Sequence, residues 1–145
     1  MTTNPTIGKP LALFLIALAA SAKKMFDQHG DFRPILALQR DEAEPVFVPL
    51  GKAFDSEKGR GEAIYAMRAL AAIHHATRCA FVSEGRYLGR RSDVVLLSLE
   101  DLDDGQVHGS MKIVRRLLRK PYLDELIIDE RIEMPIGFNI LARQA

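Results

Sequence analysis

The sequence predicts a single α+β domain in which two helices cover one face of a mainly antiparallel sheet of about five strands. The chain has 145 residues, of which 48% are hydrophobic and 27% are charged, which is typical of one globular domain. Two long stretches repeat apolar residues at helical spacing, and the segments between them are short apolar runs bounded by turn residues. Consecutive short strands usually pair as hairpins, which favours an antiparallel sheet.

The first helix is predicted to begin at Pro10 and to end at His29, after a flexible lead-in over residues 1–9. Proline suits the first turn of a helix, and Gly30 is a typical helix stop. Between these points the apolar residues follow helical spacing: Leu11, Phe14, Leu15, Leu18, Ala22, Met25 and Phe26. We therefore expect residues 10–145 to form one domain whose first helix is buried.

The same stretch has two alternative interpretations, a secretory signal over residues 1–22 and an anchor that lies on a membrane surface. Ala20-Ser21-Ala22 has the small-x-small form of a signal-peptidase site, and Lys9 supplies a positive charge before the apolar run. The run is too short to span a membrane. The chain has one cysteine and so no internal disulfide, which favours a cytoplasmic protein.

The rest of the chain predicts a hairpin, a second helix and three further strands, which gives the order α-β-β-α-β-β-β. The elements after the first helix are predicted at residues 33–40, 45–50, 55–77, 78–84, 93–99 and 107–114. Pro45 and Pro49 place the second strand at an edge, and Asp55 or Ser56 can cap the second helix. This order resembles the roadblock and profilin-like layouts. No single conformation is assigned to residues 117–145: residues 123–129 suit either a helix turn or a strand, and residues 136–142 favour a short strand or arm.

Metal and calcium motifs fail on their spacing. The four histidines and the one cysteine show no CxxC, HxxxH or HExxH pattern. The acidic segment over residues 100–105 does not begin an EF-hand loop. Counted from Asp101, the sixth position is Gln106 and the twelfth is Lys112, where that loop needs glycine and glutamate. The segment is typical of a hairpin turn with Asp104-Gly105 at its tip. We expect no metal and no cofactor.

Catalytic patterns are equally sparse. No serine lies in a GxSxG motif, and Cys79 lies in an apolar strand, where a cysteine is usually inert. An uncharacterised enzyme built around His29, Ser83 and Glu84 is the weakest alternative, because no nucleophile, base and orienting group can be assigned.

The most distinctive feature is two clusters of basic residues. Arg86, Arg90 and Arg91 form the first, and the second consists of Lys112, Arg115, Arg116, Arg119 and Lys120. If the strands flanking the acidic turn pair, both clusters lie at one end of the sheet, where arginines bind phosphates and Tyr87 and Tyr122 can stack on bases. Five acids follow and can neutralise the clusters within a subunit or across a dimer interface: Asp124, Glu125, Asp129, Glu130 and Glu133.

Four stretches resemble a group of small bacterial and phage proteins that have no assigned activity. They are residues 26–39 (FDQHGDFRPILALQ), the helix after Phe54-Asp55, residues 81–87 (FVSEGRY) and residues 92–101 (SDVVLLSLED). The shared features are a His-Gly turn, a strand ending in Val-Ser-Glu and a strand ending in an acidic turn. Members often have a tryptophan after the glutamate and a proline-rich loop, which Gly85-Arg86-Tyr87 and a shorter loop replace here. The resemblance implies one intact domain.

Two hypotheses for function follow. The first is a non-catalytic interaction or regulatory module, cytoplasmic, that self-associates as a homodimer or binds a protein partner. The second is a nucleic-acid or nucleotide-phosphate binding protein that uses the two basic clusters. The formal net charge is +1, so nucleic-acid binding would depend on the local patch and not on the overall charge.

Overall fold

The computed structural model describes residues 8–52, 56–85, 94–128 and 140–141, which form two helices and a six-stranded sheet. The elements in chain order are α1 (Lys9–His29), β1 (Ile35–Gln39), β2 (Val46–Pro49), α2 (Glu57–Ile73), β3 (Arg78–Gly85), β4 (Val94–Asp101), β5 (Gly105–Val114) and β6 (Tyr122–Ile128). The strand order is β2-β1-β3-β4-β5-β6, and every neighbouring pair is antiparallel. The α+β class is confirmed, and the first seven elements follow the predicted order, but the sheet has six strands because β6 forms within residues 117–145.

Helix α1 confirms the buried-helix interpretation of the N-terminal stretch. It begins with a proline in its first turn and runs through Ala22 without a break. Gly30 ends it with a left-handed φ of 74°, and the Gly30 N–H donates a 2.7 Å hydrogen bond to the carbonyl of Phe26. Seven side chains of α1 are buried in the core: Leu11, Phe14, Leu15, Leu18, Ala19, Ala22 and Phe26.

The two helices cover opposite faces of the sheet, so the prediction that both lie on one face is wrong. Successive residues of a strand point to opposite faces. On β1, Ala37 packs in the cluster of α1, whereas Leu36 and Leu38 pack in the cluster that contains Met67 of α2. Because β1 and β3 are apolar on both faces, each face needs its own cover. The resemblance to roadblock and profilin-like layouts therefore concerns element order alone.

Helix α2 is shorter than predicted. The Ser56 hydroxyl accepts a 3.0 Å hydrogen bond from the Gly59 N–H, which confirms Ser56 as the cap. The helix ends at Ile73 because His75 adopts a left-handed φ of 50°. Residues 1–7 of the predicted lead-in, residue 55 and most of the predicted final arm lie outside the described residues.

The register defines two ends of the sheet. One set of aligned residues marks the Arg78 end: Gln39, Arg78, Asp101 and Gly105. Another set marks the opposite end, called here the basic end: Gly85, Val94 and Lys112. Val114 and Tyr122 also pair at the basic end. The two edges of the sheet are β2, as predicted, and β6.

Candidate functional site

The register places the strand ends that flank the first predicted basic cluster beside the start of the second cluster. All members of the second cluster are exposed: Lys112, Arg115, Arg116, Arg119 and Lys120. The first cluster, Arg86, Arg90 and Arg91, lies outside the described residues. The strands that flank it are described, since β3 ends at Gly85 and β4 begins at Val94, which pairs with Lys112. Both flanks of the first cluster thus lie beside the start of the second.

The hairpin between β5 and β6 exposes two leucines that the sequence analysis did not single out. Leu117 is 90% exposed and Leu118 is 96% exposed. The turn is closed by a 3.3 Å hydrogen bond from the Arg119 N–H to the Arg116 carbonyl, and Leu118 has a left-handed φ of 61°. We call residues 115–120 the basic tip. The sequence signal for it is a pair of leucines inside an acid-free, cationic stretch without strand alternation.

Tyr122, which the sequence predicted could stack on a base, contacts an arginine of the same hairpin in the structure. It pairs with Val114 at the start of β6, and the Arg116 guanidinium carbon lies 4.8 Å from the centre of its ring. This geometry is a cation–π contact, which holds the arginine beside the hairpin. Tyr122 therefore positions a cation of the basic tip through its ring face. Tyr87 lies outside the described residues.

Ser98 and His108 form a serine–histidine pair in the sheet. They lie opposite each other on β4 and β5, with the Ser98 Oγ 3.0 Å from the His108 Nδ1. Burial lowers the pKa of His108, which favours the neutral imidazole. Ser98 is only 1% exposed, so a substrate cannot reach its hydroxyl. The pair is a partly buried polar contact between strands.

The residues of the weakest enzyme alternative lie on two elements, His29 at the end of α1 and Ser83 and Glu84 on β3. Ser83 and Glu84 are consecutive on β3 and therefore point to opposite faces of the sheet. The Glu84 carboxylate accepts a 2.7 Å hydrogen bond from the Phe32 N–H, which ties the connection after α1 to β3. His29 is exposed at the end of α1. The Glu84 carboxylate thus has a structural role, as the acceptor for the Phe32 N–H.

Cys79 lies in the core on the α2 face of the sheet. Burial raises the pKa of its thiol, and the negative charge of Glu100 raises it further. The thiol form is therefore favoured over the nucleophilic thiolate. Within residues 8–52, 56–85, 94–128 and 140–141, no group of three or more histidine, cysteine, aspartate or glutamate side chains could hold a metal ion.

A network of buried polar groups closes the Arg78 end. The Arg78 Nε lies 2.7 Å from the Asp101 Oδ2, as an ion pair whose N–H is not directed at that oxygen. The Arg78 Nη1 donates to the Gln39 side chain at 2.8 Å and to the Asp41 carbonyl. The other Asp101 oxygen accepts from two backbone N–H groups of the following turn, those of Asp103 and Asp104. These contacts stabilise the fold at the end opposite the basic tip.

A cavity of about 340 Å³ lies beside the C-terminal end of α2. Its lining includes Ala71, Leu102 and Leu141, with Arg68 and His75 among its polar members. Thr77 also lines it, but the Thr77 hydroxyl accepts a 2.8 Å hydrogen bond from the Asp41 N–H. Among the described residues that line the cavity, no hydrogen bond joins a nucleophilic side chain to a histidine or carboxylate base.

Comparisons with known proteins add one finding. No protein-family model, no curated protein and no solved structure matches the chain. Neither of the two described helices is long and apolar enough to cross a membrane. The site is therefore interpreted from the chemistry and the exposure of its own residues.

Proposed function

We propose that the protein is a non-catalytic interaction module that self-associates as a homodimer through its edge strand, β6. The observation that carries this proposal is the exposed apolar end of that strand. Ile127 is 58% exposed, and Ile128 is also exposed on the other face. An edge strand offers unpaired backbone N–H and C=O groups to another strand, and exposed apolar side chains favour that pairing.

The two edges of the sheet differ in their protection. Strand β2 has four residues, follows Pro45 and ends at Pro49, and proline cannot donate a backbone hydrogen bond. Strand β6 has seven residues and contains no proline. The β2 edge therefore resists pairing, whereas the β6 edge accepts a further strand.

The order of charges around β6 favours a second copy of the chain as the partner. The residues that lead into β6 are basic, and Asp124 and Glu125 lie within it. Acidic residues also follow it in the sequence, beginning with Asp129 and Glu130. In an antiparallel pair related by a two-fold axis, the N-terminal end of one β6, which follows the basic residues 115–120, lies beside the C-terminal end of the other, which precedes acidic residues in the sequence. A parallel pairing would place like charges together.

The test is the oligomeric state of an Ile127→Lys variant. A lysine at this position brings a like charge to the two-fold interface, and we expect a monomer where the unmodified chain is a dimer. Analytical ultracentrifugation over a range of concentrations measures the change. The matched control is Ile73→Lys, because Ile73 is 70% exposed on α2, away from the edge. A strict monomer at high concentration, or a dimer that Ile127→Lys leaves intact, contradicts the proposal.

A further inference from the structure

The basic tip combines features that neither folding nor dimerisation explains. Leu117 and Leu118 are adjacent and almost fully exposed, so they contribute little to the core. Leu118 also adopts a left-handed backbone conformation, which suits glycine or asparagine better than leucine. A turn selected for stability alone would not use leucine at these two positions.

Cations flank the two leucines on both sides. Four exposed basic side chains surround them: Arg115, Arg116, Arg119 and Lys120. The sequence contains no acid from His108 to Tyr122. Apolar side chains with basic neighbours are typical of segments that lie in the interface of an anionic membrane, where the cations stay with the headgroups. Tyr122, which contacts Arg116, is an aromatic residue of the type enriched in that interface.

We propose that the basic tip docks onto a bilayer surface that carries anionic headgroups, with Leu117 and Leu118 entering the headgroup layer. A nucleic acid fits these residues less well, because a leucine offers neither a hydrogen bond to phosphate nor a stacking face to a base. Leucine gains chiefly by leaving water, and a bilayer provides an apolar layer beneath its charges. This proposal does not depend on dimerisation through β6.

The experiment is co-sedimentation of the full chain with phosphatidylcholine vesicles, with and without phosphatidylserine. We expect binding only when phosphatidylserine is present, and weaker binding as salt is raised. Arg119→Gln should weaken binding about fivefold, the usual effect of one basic residue near an anionic membrane. The double variant Leu117→Ser/Leu118→Ser should weaken it about tenfold or more, since leucine burial is lost while every cation remains.

Matched controls separate the tip from general effects of exposed apolar residues. Leu13 and Ile16 are also exposed, on the outer side of α1, and Leu13→Ser/Ile16→Ser should bind as the unmodified chain does. Circular dichroism verifies that each variant is folded. Absence of binding to phosphatidylserine vesicles overturns the proposal, and so does binding that the double leucine variant leaves unchanged. Binding to single- or double-stranded oligonucleotides without vesicle binding assigns the tip to nucleic acid instead.

Discussion

Glu100 connects the C-terminal part of the chain to the sheet, and its removal should be costly. The Glu100 Oε1 accepts a 2.8 Å hydrogen bond from the Ile140 N–H, and the Oε2 accepts a 3.2 Å hydrogen bond from the Leu141 N–H. All three residues are buried, and Ile140 and Leu141 pack in the core cluster of α2. One carboxylate thus satisfies two buried backbone donors.

The expected magnitude follows from these two contacts. A hydrogen bond to a charged group contributes about 1.5–3 kcal/mol, and a buried donor that loses its acceptor also keeps its desolvation cost. We expect Glu100→Ala to lower the free energy of unfolding by about 3 kcal/mol, because part of the loss is recovered when residues 140–141 reach water. Glu100→Gln keeps one acceptor oxygen and should lose roughly half as much.

Urea denaturation measures the free energy, and hydrogen exchange measures the Ile140 and Leu141 amides directly. Both amides should exchange faster in Glu100→Ala than in the unmodified chain. The control is Glu62→Ala, since Glu62 is exposed on α2 and should leave stability within about 0.5 kcal/mol. A Glu100→Ala variant as stable as this control, with unchanged exchange at both amides, would refute the reasoning.

Two further predictions concern titratable groups whose pKa is shifted by burial. Burial and Glu100 raise the pKa of Cys79, so iodoacetamide should label this single cysteine slowly in the native protein and at the rate of a free thiol in denaturant; rapid native labelling would count against the buried position. Burial lowers the pKa of His108, so the unfolded chain takes up a proton at higher pH than the folded one, and stability should fall as the pH drops below the ordinary histidine pKa. His108→Gln should flatten this part of the urea-derived stability profile, and an unchanged profile would exclude His108 as its source.

Local patterns predicted the elements well where one periodicity dominated. The apolar residues of α1 follow helical spacing from Leu11 to Phe26. The observed helix, Lys9–His29, begins one residue before the predicted start at Pro10 and ends at the predicted residue. Prolines at both ends of β2 predicted an edge strand, and β2 is an edge. The predicted pairing across the acidic turn is also observed, between β4 and β5.

Long-range partners explain what the sequence did not predict. Glu100 and Asp101 are acids, and a local interpretation assigned them to an exposed turn. Both are buried at the end of β4, because Arg78 and the backbone of residues 140–141 supply partners distant in sequence. The sequence of β1 also could not predict which helix covers which face of the sheet, because β1 is apolar on both faces.

The basic tip was only half predicted, for a similar reason. Its cations were identified from the sequence, but Leu117 and Leu118 lie in the segment to which the sequence assigned no single conformation, so their exposure could not be predicted. Their exposure depends on the turn that joins β5 to β6, and that turn depends on the pairing of Val114 with Tyr122. A strand for residues 122–128 had to be assigned before the leucines could be placed at a tip.

The two ends of the sheet use charge in opposite ways, and the contrast separates stability from function. At the Arg78 end the charges are buried, so each requires a partner, and removing one leaves another uncompensated. At the basic end the cations are exposed, and contacts of exposed charged groups contribute little to stability, so their replacement changes the free energy of unfolding little. Substitutions in the basic tip therefore test binding without disturbing the fold, whereas substitutions at the Arg78 end test the fold itself.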